Sequence, residues 1–185
     1  MAIVRPGSKS VLLVVDCQVG VVADAWDATR IVGNIAHAIE RARAQGAPVV
    51  WVQHEDDDIP RGSPQWQFAP ELVPAADELR IHKRHNSAFE ETPLEQELAR
   101  LGATRIVLAG AMTTWCVRSA AYAALERGYD LTLVSDGHTT SSIDRGNGTV
   151  VEAEGIVDEL NVAMTWVDYP GRKSSTATAA QVEFG

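Results

Sequence analysis

Short runs of apolar, β-branched residues recur along the chain, and segments with helical spacing separate several of them. Strands of a parallel sheet have continuous apolar runs because helices cover both faces of the sheet. The pattern therefore predicts an α/β fold with a mainly parallel sheet. Six strands are predicted, at residues 11–15, 49–53, 79–82, 106–109, 131–134 and 163–167.

Three helices are predicted from apolar spacing and from the residues that begin and end helices. The Thr-Pro-Leu-Glu sequence at residues 92–95 has the spacing of a capping box with proline at the first helical position, and Gly102 follows the helix. An Ala-rich segment predicts a helix from about residue 115 to 127, stopped by Gly128. Another helix precedes Gly46 and has one apolar face, formed by Ile31, Ile35, Ala38, Ile39 and Ala42.

The length of 185 residues and the 45% hydrophobic content fit one domain. We predict that residues 1–170 form this domain. Residues 171–185 are rich in Ser, Thr and Ala, which predicts a flexible tail or an arm that lies on a neighbouring subunit. Residues 54–74 are acidic and then rich in Pro and Gln, and they form either a solvated loop or a functional excursion.

The charge of the chain disfavours some classes of partner. A formal net charge of -9 opposes binding to nucleic acid or to an anionic membrane, so a small-molecule partner is expected. The apolar runs are too short to span a bilayer. Two cysteines cannot form a disulfide framework and no signal peptide is visible, so we expect a reducing, cytoplasmic setting.

Polar residues at the carboxyl ends of parallel strands are the first candidates for chemistry. Asp16 and Lys83 follow two predicted strands, and Cys116 follows a third. Each has an ordinary structural alternative: a loop contact, a solvated charge and a small buried side chain. If Thr113 or Thr114 caps the helix, its N-terminus and Lys83 would lower the pKa of the Cys116 thiol. Asp16 could then accept the thiol proton and return it to a leaving nitrogen.

Three segments resemble those of isochorismatase-like hydrolases. Residues 12–18, Leu-Leu-Val-Val-Asp-Cys-Gln, resemble the opening strand, which is followed by Asp-x-Gln. Residues 83–89, Lys-Arg-His-Asn-Ser-Ala-Phe, resemble the lysine segment of the family. Residues 110–117, Gly-Ala-Met-Thr-Thr-Trp-Cys-Val, are similar to the nucleophile segment, which is the most specific of the three.

The resemblance implies a single-domain, Rossmann-like α/β/α sandwich with six strands in the order 3-2-1-4-5-6. It implies a catalytic triad of Asp16, Lys83 and Cys116. It also implies a cis peptide between Ala111 and Met112, with the backbone amides of Met112 and Cys116 as the oxyanion hole. Family members form oligomers, so a homo-oligomer, dimer or tetramer, is expected.

Residues near these segments are candidates for the substrate pocket. Nicotinamidases have an Asp-x-His metal motif after the second strand, where residues 53–58 read Gln-His-Glu-Asp-Asp-Asp, so we predict no metal and no cofactor. Cys17 is expected in the core, and His138 in a helix cap or loop contact. The predicted pocket residues are Gln18, Val21, Trp26, His54, Trp66, Phe89 and Trp115.

The presence of Cys116 favours thioester chemistry on an amide-like C–N bond. An alternative is an isochorismatase-type hydrolase that protonates a vinyl ether with Asp16 and does not need the cysteine. A second is a nucleotide- or flavin-binding module, although no Gly-x-Gly-x-x-Gly follows the first strand. A third is a degenerate family member that serves interactions.

Overall fold

The computed structural model describes residue 2 and residues 4–185, which form a six-stranded parallel sheet and a two-stranded antiparallel ribbon. The strands are β1 (Lys9–Val15), β2 (Val49–His54), β3 (Leu79–Lys83), β4 (Ala103–Ala111), β5 (Asp130–Thr139), β6 (Ile143–Asp144), β7 (Val150–Val151) and β8 (Ser174–Ala177). The ribbon pairs β6 with β7. The sheet order is β3-β2-β1-β4-β5-β8, so with β8 as the sixth strand the predicted order is confirmed.

Helices cover both faces of the sheet, as its apolar strands require. They are α1 (Val19–Val22), α2 (Ala28–Ala44), α3 (Leu94–Leu101), α4 (Arg118–Glu126) and α5 (Ala153–Trp166), with a π-helical turn at Thr113–Val117. One core cluster joins α2 to the sheet, and the other joins α3, α4 and α5 to the opposite face. The predicted three-layer α/β/α architecture is therefore confirmed. Among the described residues, no helix is long and apolar enough to cross a membrane.

The predicted apolar face of α2 is buried against the sheet, and the helix ends before Gly46. Helix α3 begins one residue later than predicted. Pro93 is its N-cap rather than its first helical residue, and the Leu94 amide donates to Thr92 Oγ1 at 3.3 Å. The predicted Ala-rich helix is divided between the π-helical turn and α4.

The prediction of a sixth strand at residues 163–167 is wrong, because most of these residues are the last turn of α5. The buried side chains Ile156, Leu160 and Met164 recur every four residues, which is the spacing of one helix face. A short apolar run at the end of a helix that buries only one face resembles a strand when it is considered alone.

The actual sixth strand, β8, lies within the segment predicted to be a flexible tail. Its backbone pairs with β5, and the Lys173 amide donates to Asp130 Oδ1 at 2.7 Å. Beyond the strand, Val182 and Phe184 are buried in the core cluster that contains α2. Residues 171–185 thus belong to the folded domain, so the predicted domain boundary at residue 170 is wrong.

The long segment after β2 packs across the chain that follows β1. The amides of Val19 and Gly20 donate to Gln67 O and Gln65 O, each at 2.8 Å. A Cβ atom on Gly20 would lie only 2.8 Å from the Cβ of Gln65, so glycine permits this close approach. The segment is therefore held over the carboxyl end of β1.

Candidate active site

The three predicted catalytic residues meet at the carboxyl edge of the sheet. Asp16 directly follows β1, Lys83 is the last residue of β3, and Cys116 lies in the π-helical turn after β4. Parallel strands end at the same edge, so the fold brings together residues that are far apart in the sequence.

A buried cation connects the other two groups. Lys83 Nζ lies 2.6 Å from Asp16 Oδ2 and 3.3 Å from Cys116 Sγ. The side chains of Lys83 and Asp16 are 0% and 1% exposed, whereas Cys116 is only partly buried. Because an isolated buried charge is costly, the ammonium and the carboxylate each require the other in this position.

Backbone geometry fits Asp16 and the end of β1 between β2 and β4. Asp16 has φ +50°, in the left-handed region that non-glycine residues seldom occupy, and its amide donates to Val52 O at 3.0 Å. Gly110 has φ +139°, and a Cβ atom there would lie 2.1 Å from Val15 O. A glycine is therefore required where β4 passes the end of β1.

Burial and charge set the protonation of the cluster. Burial raises the pKa of Asp16 above its usual range, although the Lys83 ammonium opposes this. Burial alone would lower the pKa of Lys83, but Asp16 and Cys116 outweigh it and raise that pKa. Burial raises the pKa of the Cys116 thiol to about 12, Asp16 adds to the rise, and Lys83 opposes it. Lys83 thus acts on the thiol pKa in the expected direction, but desolvation outweighs it in the free protein.

The condition of a helix cap at Thr113 or Thr114 is not met, because neither side chain caps the turn among the described residues. Thr113 Oγ1 instead lies 2.9 Å from His138 Nδ1, and Thr114 Oγ1 lies 2.8 Å from Thr140 Oγ1. These contacts attach the turn that carries Cys116 to the end of β5.

His138 is a fully buried part of β5 rather than the predicted helix cap or loop contact. Asn161 Nδ2 donates to Ser135 O at 2.9 Å, which leaves Asn161 Oδ1 to accept from His138 Nε2 at 3.1 Å. The other ring nitrogen therefore accepts the Thr113 hydroxyl proton. Burial lowers the pKa of His138 to about 4, so the imidazole is neutral at physiological pH.

The peptide bond between Ala111 and Met112 is cis, and it joins β4 to the turn. The Met112 carbonyl accepts from the amides of Trp115 and Val117 at 3.0 and 3.1 Å. The Met112 amide donates to none of the described residues.

Lys83 has two further contacts that sequence reasoning missed. Its Nζ lies 3.0 Å from His85 O and 3.3 Å from His54 Nδ1. His54 Nε2 in turn lies 2.9 Å from Asp56 Oδ2. A backbone carbonyl leaves no signal in a sequence, and the sequence predicts His54 only as a pocket residue.

Gln18, a predicted pocket residue, is fully buried and holds the long segment in place. Its Nε2 donates to His54 O and Trp66 O at 2.9 and 3.0 Å. Its Oε1 accepts the His54 amide at 2.7 Å. Both hydrogens on Nε2 of Gln18 therefore form hydrogen bonds within the protein.

Phe89 is also a core residue rather than a pocket wall. It is 7% exposed, and its ring packs against Tyr129 at 6.3 Å and beneath Arg127 at 4.8 Å. Val21 and Trp26 are partly buried beside the core cluster that contains α2.

Two tryptophans near the matched segments are accessible to different degrees. Trp66 is partly buried and stacks on His82 at 5.5 Å. Trp115, next to Cys116, is 57% exposed. Cys17 is fully buried, which confirms its predicted place in the core. Within the part of the chain that the structure describes, no three His, Cys, Asp or Glu side chains are grouped to hold a metal ion.

The fold and the site define an α/β protein with an Asp, Lys and Cys cluster at the carboxyl edge of a Rossmann-like sheet. A family model described as the isochorismatase domain matches residues 10–155. The chain belongs to the isochorismatase family.

Curated proteins and solved structures agree with this assignment. Streptothricin hydrolase of Streptomyces noursei is 33% identical over 172 residues, which cover 89% of this chain and 64% of that protein. Maleamate amidohydrolase of Pseudomonas putida is 31% identical over 123 residues, 60% of this chain and 58% of that one. The chain thus spans less than two thirds of the length of either relative. The crystal structure of an isochorismatase from Pseudomonas putida KT2440 has a TM-score of 0.83 and 26% identity, over 95% of this chain and 92% of that chain.

Proposed function

We propose that this chain is a cysteine hydrolase that cleaves an amide-like C–N bond in a small molecule through a thioester on Cys116. The buried cluster of Asp16, Lys83 and Cys116 supports this most directly, because it combines a nucleophile, a proton acceptor and a fixed cation within hydrogen-bond reach. One relative is named a hydrolase and another an amidohydrolase, which supports the same class of reaction.

In the first half of the proposed reaction, Asp16 removes the thiol proton while Cys116 Sγ attacks the carbonyl carbon. The two events accompany each other, because a thiol whose pKa is about 12 is not ionised in the resting protein. The backbone amides of Met112 and Cys116 stabilise the negative carbonyl oxygen. The C–N bond then breaks, Asp16 returns the proton to the leaving nitrogen, and an amine or ammonia departs.

In the second half, water attacks the thioester and Asp16 accepts its proton. The C–S bond breaks, a carboxylic acid leaves, and the sulfur regains a proton. Lys83 stays protonated throughout because Asp16 and Cys116 raise its pKa. Its fixed charge compensates whichever of Asp16 and the sulfur is negative.

The charge of the chain and the accessible side chains near the site bear on the substrate. The acidic net charge of -9 supports a small-molecule substrate rather than nucleic acid. We also propose a homo-oligomer, dimer or tetramer, in the cytoplasm. The substrate would contact the more accessible of the predicted pocket residues, which are Val21, Trp26, His54, Trp66 and Trp115.

A second candidate is hydrolysis of a vinyl ether with Asp16 as the acid. The observation that favours it is the raised pKa of Asp16, caused by burial, because an acid catalyst must hold a proton. In this reaction Cys116 would only line the site.

Variants of the two cysteines separate these candidates. On a panel of small primary amides and enol ethers, Cys116→Ala should lower ammonia release by about a thousandfold or more. The matched control Cys17→Ala should retain it. Asp16→Asn should inactivate the enzyme for either class. Enol-ether cleavage that survives Cys116→Ala and is lost in Asp16→Asn would establish the second candidate.

A further inference from the structure

The ammonium of Lys83 has more acceptors around it than hydrogens to donate. Asp16 Oδ2 lies at 2.6 Å and His85 O at 3.0 Å, whereas His54 Nδ1 and Cys116 Sγ both lie at 3.3 Å. An ammonium has three N–H groups. We assign one N–H to Asp16 and one to His85 O because these are the nearer acceptors, so the third is left for the imidazole and the sulfur together.

His54 can accept this N–H in only one of its two neutral tautomers. Its Nε2 lies 2.9 Å from Asp56 Oδ2, and a carboxylate only accepts, so Nε2 carries the hydrogen and Nδ1 the lone pair. Asp56 is itself fixed, because its Oδ1 accepts the amides of Asp58 and Ile59 at 3.0 and 2.8 Å. The carboxylate of Asp56 thus selects the tautomer that faces Lys83.

We propose that His54 is a positioning residue that competes with the Cys116 sulfur for the third N–H of Lys83. In the resting protein this N–H is shared between the imidazole and the sulfur. The sulfur therefore lacks a full hydrogen bond from the ammonium and remains a thiol. As a thiolate forms, this N–H donates its hydrogen bond to the sulfur alone. His54 acts through Lys83 and need not touch the substrate or exchange a proton.

The charged groups that face the sulfur are Asp16 and Lys83, and those that face the imidazole are Lys83 and Asp56. A change at Asp56 therefore reaches the sulfur through His54 and Lys83. The sharing is a property of the free protein, and only its catalytic consequence rests on the proposed function.

Asp56→Asn tests the proposal while the imidazole stays in place. The oxygen of the new amide must still face the amides of Asp58 and Ile59, so its NH₂ group faces His54 Nε2 and donates to it. The imidazole then carries its hydrogen on Nδ1, which cannot accept from Lys83. The exposed neighbour Asp57 provides the matched control, since Asp57→Asn removes the same charge.

The first readout is alkylation by iodoacetamide at pH 8. Tryptic cleavage leaves Cys116 as the one cysteine of the peptide of residues 106–118, and Cys17 in that of residues 10–30. We expect Cys116 in Asp56→Asn to react about tenfold faster than in Asp57→Asn, which corresponds to a thiol pKa about one unit lower. His54→Leu, which removes the competing acceptor, should accelerate the reaction in the same direction.

The second readout is the ¹⁵N spectrum of the histidine rings, with His54 assigned from its absence in His54→Leu. We expect Nδ1 to lack a hydrogen in the unsubstituted protein and to carry one in Asp56→Asn. Equal or slower alkylation in Asp56→Asn than in Asp57→Asn overturns the proposal, and so does a hydrogen on Nδ1 in the unsubstituted protein.

The two proposals can fail separately. If alkylation is faster in Asp56→Asn but no amide is turned over, the proposal of a shared N–H survives and the proposed hydrolase activity is rejected. If amides are turned over through an acylated Cys116 but alkylation is not faster in Asp56→Asn, the proposed hydrolase activity survives and the proposed role of His54 is rejected.

Discussion

Replacing Lys83 with methionine should measure the cost of burying Asp16 without its partner. The two side chains are 0% and 1% exposed and their charged atoms are 2.6 Å apart, so the variant leaves an uncompensated buried carboxylate. Breaking such a pair costs about 3–5 kcal/mol. For a chain of this size each kcal/mol lowers Tm by about 2–4 °C, so we expect a loss of roughly 10 °C at pH 8.

The deficit should depend on pH. Burial already raises the pKa of Asp16, and without Lys83 that pKa rises further. A carboxyl whose folded-state pKa exceeds its ordinary value of 3.8 contributes stability below 3.8 and loses it as pH rises through the folded-state pKa. The variant should therefore be least stable relative to the original protein at pH 8 and recover as the pH falls toward 5.

Urea unfolding followed by tryptophan fluorescence gives the free energy of unfolding at each pH. Adding Asp16→Asn to Lys83→Met should recover at least half of the loss, because no buried charge remains. The exposed Lys9 provides the control, since Lys9→Met should change stability by no more than about 0.5 kcal/mol. A loss below about 1 kcal/mol at pH 8, or a double variant as unstable as Lys83→Met, would refute the reasoning.

Three further outcomes are expected. Alkylation of Cys116 should accelerate about tenfold per pH unit from about pH 7 to 10, since burial raises its pKa to about 12; a plateau below about pH 9 would contradict this. His138→Leu should cost about 1–3 kcal/mol in urea unfolding, because the buried Thr113 hydroxyl loses its acceptor; an unchanged midpoint would show that this bond contributes nothing. Gly110→Ala should lower Tm by several degrees, since its Cβ would lie 2.1 Å from Val15 O; an unaltered Tm would exclude this steric role.

The central strands could be predicted from the sequence because both faces of each are covered. Residues 11–15 and 106–109 are buried throughout, which produces continuous apolar runs. The edge strand at residues 174–177 could not be predicted, since Ser-Ser-Thr-Ala has no apolar run and its backbone pairing with β5 leaves no trace in residue type. The end of helix α5 resembles a strand in the sequence because residues 163–167 are mostly apolar, although Met164 is the one buried residue among them.

The positions of Asp16, Lys83 and Cys116 could be predicted because strand ends and family-like segments mark them. Their environment could not, since the thiol pKa depends on burial and on the nearness of Asp16. Partners distant in sequence were equally hidden, as with the His138 ring that accepts the Thr113 hydroxyl.

The central claim is that Cys116 becomes acylated during turnover. The most direct measurement is an acid-quenched time course with an amide from the panel, followed by the mass of the tryptic peptide of residues 106–118. We expect this peptide to gain the mass of the acyl group before steady state, while the peptide that contains Cys17 does not change. Amide turnover with the peptide unmodified at every time, and undiminished in Cys116→Ala, would contradict the account.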